Sequence, residues 1–475
     1  MSDFYADLLS KFEAVPLPYE YVNVPRANEP QAHHDIPLYY FVNKVITNLT
    51  RDAFKHAGFK STTDERRWNA SWGRQYLPNE YKRCECWQKV NHFAGAFLMG
   101  RKDNLHLRMK ELYSRRPELD RFYPISYLLP DEENELLENW AKHPLWIFKP
   151  SASSRGRGIS LCKSSEMCKC DKGIYQVYIH PPLLVKGRKF DIRLYALVTS
   201  VFPMKIYMHE TGLARFCTHQ YDINVMDDHS HLTNFSLNKD DASFKKCDDT
   251  VEDINNSKWS LAFFKQYIIS CGINYDKLMS DIEAVSINTI ISGMNEIRKY
   301  HSEHIKHRHT SYEMYGLDIM IDEGLRPHLI EINISPSMSG QDSLLDYDLK
   351  YPLMLDLLHM ARIVKCNVNS PITCPAIKKI DDLCIPQSLT GWDNPSFGDY
   401  VMIRDFVEEQ SRLRGFRHVF PVPETMDNFL PSFEALHYRD EMFQKWMKMD
   451  NSQRLAVLAQ KWNDNYLEPM KNLMI

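Results

Sequence analysis

The sequence contains no run of about 18 apolar residues, the length that a membrane-spanning helix needs. Its first residues, MSDFYADLLSKFEAVPLPYE, show no basic stretch followed by an apolar one, so we expect no signal peptide. The formal net charge of −4 gives the whole chain no attraction to nucleic acid or to a membrane surface. We therefore expect a cytoplasmic protein that binds neither nucleic acid nor membranes.

Internal repeats and low-complexity tracts are also missing. The eleven cysteines are scattered, and their two C-x-C pairs, at 84/86 and 168/170, lack the spacing of a tetrahedral zinc site. An odd cysteine count without a secretory signal favours reduced, structural thiols. The length of 475 residues predicts several units. We place them at 1–140, 141–250, 251–365 and 366–475.

Local patterns predict the main elements. Residues 1–40 are rich in proline and aromatics and are expected to run extended over the surface. Alternating segments predict strands from 146 to 200, and residues 205–216 suggest a hairpin that turns near 210–212. Helical spacing is found over 259–300 and again from about 351 to 364, and residues 396–475 are predicted to be mostly helical.

The strongest candidate site is the segment YGLDIMIDEGLRPHLIEINISPS, residues 315–337. Side chains alternate along a strand, so Glu331 and Asn333 share one face, and the turn can return Asp318 to that face from the neighbouring strand. Two carboxylates and an amide oxygen are ligands that suit magnesium held together with phosphates and water. The plainer interpretation is the solvent-facing polar side of an ordinary hairpin.

A second candidate combines WIFKP (146–150) with SASSRGRG (151–158). Lys149, at a strand end, can aim a positive charge at a phosphate, and a loop rich in serine and glycine can close backbone N–H groups over it. No Gly-Lys-Ser/Thr follows, so this is not a Walker A loop, and it links strand to strand, unlike a dinucleotide fingerprint. A simple mobile turn is the alternative.

Two further segments carry polar groups in a suggestive order. In KFDIRLY (189–195), Lys189, Asp191 and Arg193 alternate on one face, which suits a site for phosphate and acyl groups or, equally, an exposed ladder of ion pairs. HLTNFSLNK (231–239) could hold a ribose or a substrate, or could be an Asn/Ser-rich turn.

Taken in order, these segments resemble the tubulin tyrosine ligase-like family, a branch of the ATP-grasp fold, over about residues 40–365. Within it the chain is most similar to the tubulin polyglutamylases that start side chains, through VNHFAGAFLMGRKDNL (90–105), INISPS (332–337) and FVEEQSRLRGFRHVFP (406–421). The resemblance implies an α+β, ATP-grasp-like fold. Its sheets would be antiparallel or mixed, with flanking helices and a helical C-terminal extension.

The resemblance also implies residue roles. Arg193 would face the transferred phosphoryl group and, with Glu331, be catalytic, while Asp318, Glu331 and Asn333 would hold magnesium. ATP would be bound by Lys149, Arg155, Gly156, Gln176, Val177, Tyr178, Ile179, Lys189, Phe190, Asp191, Thr233 and Asn234. Free glutamate would be bound by Arg215, Phe235, Ser236 and Lys350, although the segment before Lys350 is one residue longer than usual in the family.

The reaction implied by the resemblance uses ATP and Mg²⁺. An acceptor carboxylate attacks the γ-phosphate, and the amine of free L-glutamate then attacks the acyl phosphate. The acceptors are the acidic tails of tubulin, and the chain is expected to be a monomer on the microtubule cytoskeleton, with cilium or axoneme as further candidates. Residues 298–309 and 412–418 are either basic walls for such a tail or simply solvated basic faces.

Four alternatives stay open on the sequence. The donor could be glycine or tyrosine, against which we weigh Arg215, because an unpaired buried arginine is costly and favours a donor with an extra carboxylate. The acceptor could be a small molecule or an acidic protein other than tubulin. The chain could also be a microtubule-binding pseudoenzyme, an interpretation that the presence of Lys149 and all three predicted magnesium ligands disfavours.

Overall fold

The fold was analysed in a computed structural model. It describes residues 2–13, 17, 19–151, 156–166, 171–239, 241–244, 253–370, 374–384, 391–393, 395–460 and 462–474. Across these ranges, no helix has both the length and the apolar character needed to cross a membrane.

Strands and helices are mixed along the chain. The strands are β1 (Glu20–Tyr21), β2 (Leu38–Asn43), β3 (Phe59–Thr62), β4 (Ala70–Gly73), β5 (Lys89–Val90), β6 (Ser126–Leu129), β7 (Leu145–Lys149), β8 (Ser160–Lys163), β9 (Gly173–Val177), β10 (Leu184–Val185), β11 (Arg188–Val201), β12 (Met204–Phe216), β13 (Lys258–Ser260), β14 (Glu313–Ile321), β15 (Pro327–Asn333), β16 (Val364–Lys365) and β17 (Phe416–Phe420). The helices are α1 (Ser2–Glu13), α2 (Asn48–His56), α3 (Pro78–Tyr81), α4 (Phe97–Gly100), α5 (Lys102–Arg115), α6 (Glu133–Asn139), α7 (Asp228–His231), α8 (Phe235–Asn238), α9 (Leu261–Ser270), α10 (Tyr275–Ser292), α11 (Met294–His304), α12 (Leu344–Met360), α13 (Cys374–Leu383), α14 (Phe397–Ser411), α15 (Tyr438–Lys448), α16 (Asn451–Ala459) and α17 (Glu468–Met474).

The central sheet has the order β13-β12-β11-β14-β15, with β10 on β11 and β17 on β12, and its pairs are antiparallel. The two long strands β11 and β12 are buried over most of their length, which their apolar sequences explain. Helices α9 and α10 contribute Phe264, Ile282 and Ile290 to the apolar core beside this sheet. One face of the sheet is thereby fixed as core, and the polar side chains are directed to the other.

Three smaller sheets complete the fold. The sheet β6-β9-β7-β8 is antiparallel and carries Lys149 at the end of β7. The N-terminal sheet β3-β2-β4-β5 is parallel. The short pair β1-β16 joins the N-terminal segment to the end of α12. The expected mixture of helices with antiparallel and mixed sheets is confirmed.

Several predicted elements are correct and others are wrong. The strands near 146–200 and the hairpin of 315–337 are confirmed, and so is the helical character of residues 259–300, which is divided among α9, α10 and α11. Residues 205–216 do not form a hairpin, because all of them belong to β12, which pairs with β11 on both sides of a bulge at residues 209–211. The N-terminus is not extended throughout, since α1 packs Leu8 and Phe12 into the main core. Helix α12 begins at Leu344, because Ser343 caps it.

The C-terminal region is mostly helical, as predicted, but it also completes the central sheet. Strand β17 pairs with β12 through Ile206 and Phe420. Helix α14 is buried along most of its length and places Tyr400 and Phe406 in the core, where Phe406 stacks edge-on against Phe443 of α15. Part of the C-terminal region is therefore built into the sheet that carries the candidate site, and the three predicted domain boundaries stay a prediction.

Candidate active site

Two rows of charged side chains cross one face of the central sheet. In the first, Lys258 on β13 lies opposite Arg215 on β12, which lies opposite Asp191 on β11. In the second, Arg193 on β11, Asp318 on β14 and Glu331 on β15 occupy paired positions. Directly opposed residues on neighbouring strands share a face, and Asp191 and Arg193 share one because they are two residues apart. The strand registers alone therefore gather six charged groups from five strands.

The centre of these rows is a four-residue ion cluster, which we call the cleft network: Asp191, Arg193, Arg215 and Asp318. Arg215 contacts Asp191 through two bonds of 2.6 Å and Asp318 at 2.9 Å. Arg193 binds Asp318 with both Nε and Nη2. Although burial alone would raise the pKa of the Asp318 carboxyl, the guanidinium groups of Arg193 and Arg215 hold it below its ordinary value.

A cleft opens between this face and the β6-β9-β7-β8 sheet. It is lined by Lys102, Ile147, Lys149, Ile159, Gln176, Val177, Tyr178, Ile179, Lys189, Asp191, His231, Leu232, Thr233, Asn234, Asp318, Met320, Ile330 and Glu331. The cleft is partly open to solvent and has a volume of about 60 Å³.

Most of the predicted ATP-binding residues meet in this cleft. Gly156 lies at its edge, where a Cβ added to the glycine would come within 3.1 Å of Asn234 Oδ1. Phe190 points away from the cleft, into the core against Phe216 and Phe264, so only its backbone is on the cleft side. Arg155 lies outside the described residues.

Lys149 and Lys189 are the two buried cations of the cleft. Lys149 Nζ donates to Gln176 Oε1 at 2.6 Å, and Lys189 Nζ donates to the Tyr178 hydroxyl at 2.7 Å and to the His231 carbonyl at 2.8 Å. Burial lowers the pKa of each ammonium group to about 8, against the opposing effect of nearby acids. Near pH 8 each lysine is therefore protonated in only part of the molecules, and a bound anion would favour the protonated form.

The predicted magnesium ligands lie next to one another at the end of the hairpin. Asp318 pairs in register with Glu331, and Asn333 Nδ2 donates to Glu331 Oε1 at 3.1 Å. Across the described part of the chain, no three His, Cys, Asp or Glu side chains form a metal-binding group. Two carboxylates and an amide are nevertheless enough for magnesium, which takes its remaining ligands from phosphates and water. Both oxygens of Asp318 bind guanidinium groups, and Oδ1, which has one such contact against two for Oδ2, keeps the greater capacity for a cation.

The predicted glutamate-binding residues form a separate pocket beside the first row. Lys350, on α12, lies 2.6 Å from Asp346, and Lys258 Nζ binds the other oxygen of the same carboxylate at 2.6 Å. Lys258 also lies 3.8 Å from the centre of the Phe235 ring, on the short helix α8 that carries Ser236 as well. Two lysines share the buried Asp346 here, and the second acid that acts on Lys258, Asp342, lies outside this contact.

Sequence reasoning missed Lys258 and Lys102. Lys258 stands in KWS, a three-residue strand, and its register opposite Arg215 was the only signal that could have revealed it. Lys102, at the start of α5, reaches within 3.7 Å of Glu331 from the N-terminal region. Lys102 lies within residues 90–105, a segment that entered the sequence analysis only through its resemblance to the tubulin polyglutamylases.

Arg215 is not evidence for an acidic donor, because it is already paired in the structure. The prediction from the sequence assumed that the buried guanidinium needs a carboxylate from the substrate, but Asp191 and Asp318 already supply two. Two guanidinium groups face two carboxylates in the cleft network, so it carries no net charge. Lys258 and Lys350, by contrast, share the carboxylate of Asp346.

The two predicted basic segments are largely occupied by internal contacts. In residues 298–309, Arg298 binds Asp440 at 2.7 Å and Arg308 binds Asp405. In residues 412–418, Arg412 binds Glu408 at 3.0 Å. These arginines hold the C-terminal helices in place. Lys306 and His307 of the first segment line an open cavity instead, and the two interpretations made from the sequence stay predictions.

Comparison with known proteins agrees with this geometry. The model of the tubulin-tyrosine ligase family matches residues 79–370. Human tubulin monoglutamylase TTLL4 is 32% identical over 358 residues, which cover 74% of this chain and 30% of that protein. Human tubulin polyglutamylase TTLL5 is 36% identical, covering 88% of this chain and 36% of its own. Tubulin polyglutamylase ttll-4 of Caenorhabditis elegans is 29% identical, covering 92% and 76%. The chain thus spans about a third of the two human relatives.

Proposed function

We propose, since this chain belongs to the tubulin-tyrosine ligase family, that it is an ATP-dependent ligase that adds glutamate to side-chain carboxylates in the acidic tails of tubulin. The substrates follow the printed names of the relatives, which are tubulin mono- and polyglutamylases. We assign the two sheets that enclose the cleft to an ATP-grasp-like arrangement. A monomer on the cytoplasmic microtubule cytoskeleton, including cilium or axoneme, belongs to the same proposal.

The nucleotide would lie in the cleft between the two sheets. Lys149 and Lys189 supply positive charge to its phosphates, and Thr233 and Asn234 supply polar contacts. The apolar side chains of Ile147, Met320 and Ile330, which line the same cleft, suit the face of a purine ring. Asp318, Glu331 and Asn333 would hold magnesium, which neutralises charge on the transferred phosphoryl group when bound.

The chain's own contribution to the reaction is positioning and charge. An acceptor carboxylate oxygen forms a bond to the γ-phosphorus while the bond from that phosphorus to the β–γ bridging oxygen breaks, releasing ADP. Arg193, fixed by Asp318, faces this transfer. The donor amine then attacks the acyl carbon, phosphate leaves, and the amine gives up a proton. No side chain forms a covalent bond in this scheme.

The charge of the donor pocket is the observation that favours glutamate. Lys258 and Lys350 share Asp346, and all three side chains are buried. Two buried cations that share a single contacting carboxylate are costly, and the side-chain carboxylate of a bound glutamate would add a second. Glycine and tyrosine have no such group.

A ligation assay tests this proposal. The enzyme is incubated with microtubules, ATP, magnesium and labelled glutamate, glycine or tyrosine, and the tubulin tails are analysed by mass spectrometry. We expect mass increments of glutamate, placed on side-chain carboxylates. Increments of glycine or tyrosine instead would contradict the assignment of Lys258 and Lys350, and ligation only to small acids would contradict the assignment of tubulin.

The alternative of a microtubule-binding pseudoenzyme of the same fold makes a different prediction in that assay. Such a protein would bind microtubules and ligate nothing. Lys149 lines the cleft, and Asp318 and Glu331 face each other across the hairpin. This arrangement favours the enzyme.

A further inference from the structure

A buried histidine–carboxylate pair lies beside the strand that carries Asp318. Glu313 is the first residue of β14 and has no exposed surface, and its Oε1 lies 2.8 Å from His92 Nδ1. Its second oxygen accepts a hydrogen bond from the backbone N–H of Phe93 at 2.9 Å. Burial of two charged groups is costly, so this pair is a site where a function is expected.

The other nitrogen of His92 faces two oxygens. Nε2 lies 3.0 Å from the carbonyl oxygen of Gly73 and 3.2 Å from the hydroxyl of Ser335. A carbonyl can only accept, so Nε2 carries a hydrogen. The proton between Nδ1 and Glu313 belongs to a coupled buried pair, because burial also raises the pKa of the Glu313 carboxyl. Burial lowers the pKa of His92, but Glu313 outweighs burial and holds the pKa above its ordinary value.

This arrangement orients Ser335. Its oxygen accepts from His92 Nε2–H, so its own hydrogen is available to a different acceptor. The side chain of Ser335 is exposed, two residues beyond Asn333. Ile330 and Glu331 line the cleft, so the chain that continues to Ser335 runs from the cleft toward solvent.

The same segment adjoins the transfer chemistry. A Cβ placed on Gly316 would lie 2.8 Å from Pro336 Cβ and 3.4 Å from Arg193 Cδ. Pro336 and Arg193 therefore both lie against Gly316, and Arg193 is the residue proposed to face the phosphoryl group. Ser335 precedes Pro336 directly in the chain.

We propose that Ser335 binds the acceptor carboxylate, and that His92 and Glu313 are positioning residues that direct its hydroxyl hydrogen outward. The inference rests on the proposed function and adds the residue that holds the acceptor. Ser335 donates to the carboxylate oxygen that does not attack phosphorus, and no proton is transferred. A hydrogen bond to a charged group is stronger than one to a neutral group and fixes the direction of attack.

The test uses the full chain and a synthetic peptide rich in glutamate as acceptor. Ser335→Ala is expected to raise the KM for the peptide roughly tenfold, with the KM for ATP and glutamate unchanged, and Ser335→Thr, which keeps the hydroxyl, is expected to restore it. Glu313→Gln should raise the same KM. The matched control is Ser337→Ala, two residues along, whose hydroxyl accepts only a 3.4 Å bond from the Ser339 N–H.

Peptide binding measured by fluorescence anisotropy, without turnover, separates this inference from the proposed function. Weaker binding by Ser335→Ala but not by Ser337→Ala supports the inference, even where Glu313→Gln fails to fold. Unchanged binding by Ser335→Ala, or an equal rise in all three KM values, overturns it. If the wild-type chain binds the peptide but ligates no amino acid to it, the proposed function is wrong instead.

Discussion

Two networks of buried ion pairs contact the central sheet, and they differ in what surrounds them. The cleft network borders a cavity, and Arg193 and Arg215 keep 12% of their side-chain surface exposed. The second, which we call the C-terminal network, has side chains that are at most 5% exposed, and it consists of Lys205, Arg362, Asp405 and Glu409.

The C-terminal network joins three parts of the chain. Glu409 of α14 binds Lys205 of β12 at 2.7 Å and Arg362, which follows α12, at 2.9 Å. Tyr207 also donates to Glu409 at 2.6 Å. Although burial would raise the pKa of the Glu409 carboxyl, the charges of Lys205 and Arg362 hold it below its ordinary value. The two networks use the same chemistry, so buried charge alone does not mark an active site.

The largest effect is expected from breaking the C-terminal network. Glu409→Gln leaves Lys205 and Arg362 without their shared carboxylate and should lower the free energy of unfolding by about 3–5 kcal/mol. Denaturant unfolding measures it. The control, Glu468→Gln, affects a pair with Lys471 whose side chains are both more than half exposed and should cost about 1 kcal/mol or less. Equal costs for the two variants would remove the distinction between the network and ordinary surface pairs.

Breaking the metal hairpin should act on activity instead of stability. Glu331→Gln removes a charge from a half-exposed position and should reduce ligation about 10²–10³-fold, because the transferred phosphoryl group loses its bound cation. Microtubule binding and the unfolding midpoint should not change. Glu323→Gln, in the exposed turn of the same hairpin, is the control. A Glu331→Gln enzyme with normal activity would show that the magnesium assignment is wrong.

Removing one of the two lysines of the donor pocket is expected to have an intermediate effect. Lys258→Met leaves Asp346 paired with Lys350 and should raise the KM for glutamate about tenfold, while the KM for ATP stays the same. Steady-state kinetics with varied glutamate measure this. Lys265→Met, which removes an exposed lysine of α9, should change neither constant. A rise in the KM for ATP instead would place Lys258 in the nucleotide site.

The smallest effect is a pH dependence of ATP binding. Burial lowers the pKa of Lys149 to about 8 in the free enzyme, so its charge is lost as the pH rises through that value. ATP affinity should therefore fall a few-fold between pH 7 and pH 9, and binding near pH 8 should take up protons. Calorimetry in buffers of different ionisation enthalpy detects the uptake. Proton release on binding would contradict it.

Much of the fold was predictable because its signals are local. The alternation in 189–200 and 315–337 identifies strands, and the positions of Asp318, Glu331 and Asn333 on one face follow from the two-residue period and the turn. The same reasoning gave a wrong prediction for residues 205–216. The Glu-Thr-Gly near their centre is typical of a turn, but in the structure this segment forms a bulge, and β12 pairs with β11 on both sides of it.

The predicted site was incomplete for a different reason. Lys258 and Arg215 are 43 residues apart in the chain, and only the pairing of β12 with β13 makes them neighbours. The same holds for His92, Glu313 and Ser335, which come from three segments. Register between distant strands depends on long-range packing, which no local pattern contains.

The sequence by itself determined the residue types and the strand periods: which side chains share a face, where the hairpin turns, and which family the motifs resemble. The tertiary structure decided which charges neutralise one another. Arg215 is satisfied by Asp191 and Asp318, whereas Lys258 and Lys350 are left with one carboxylate between them. Charge balance depends on distances of a few ångströms between residues that are far apart in the chain, so only the folded protein fixes it.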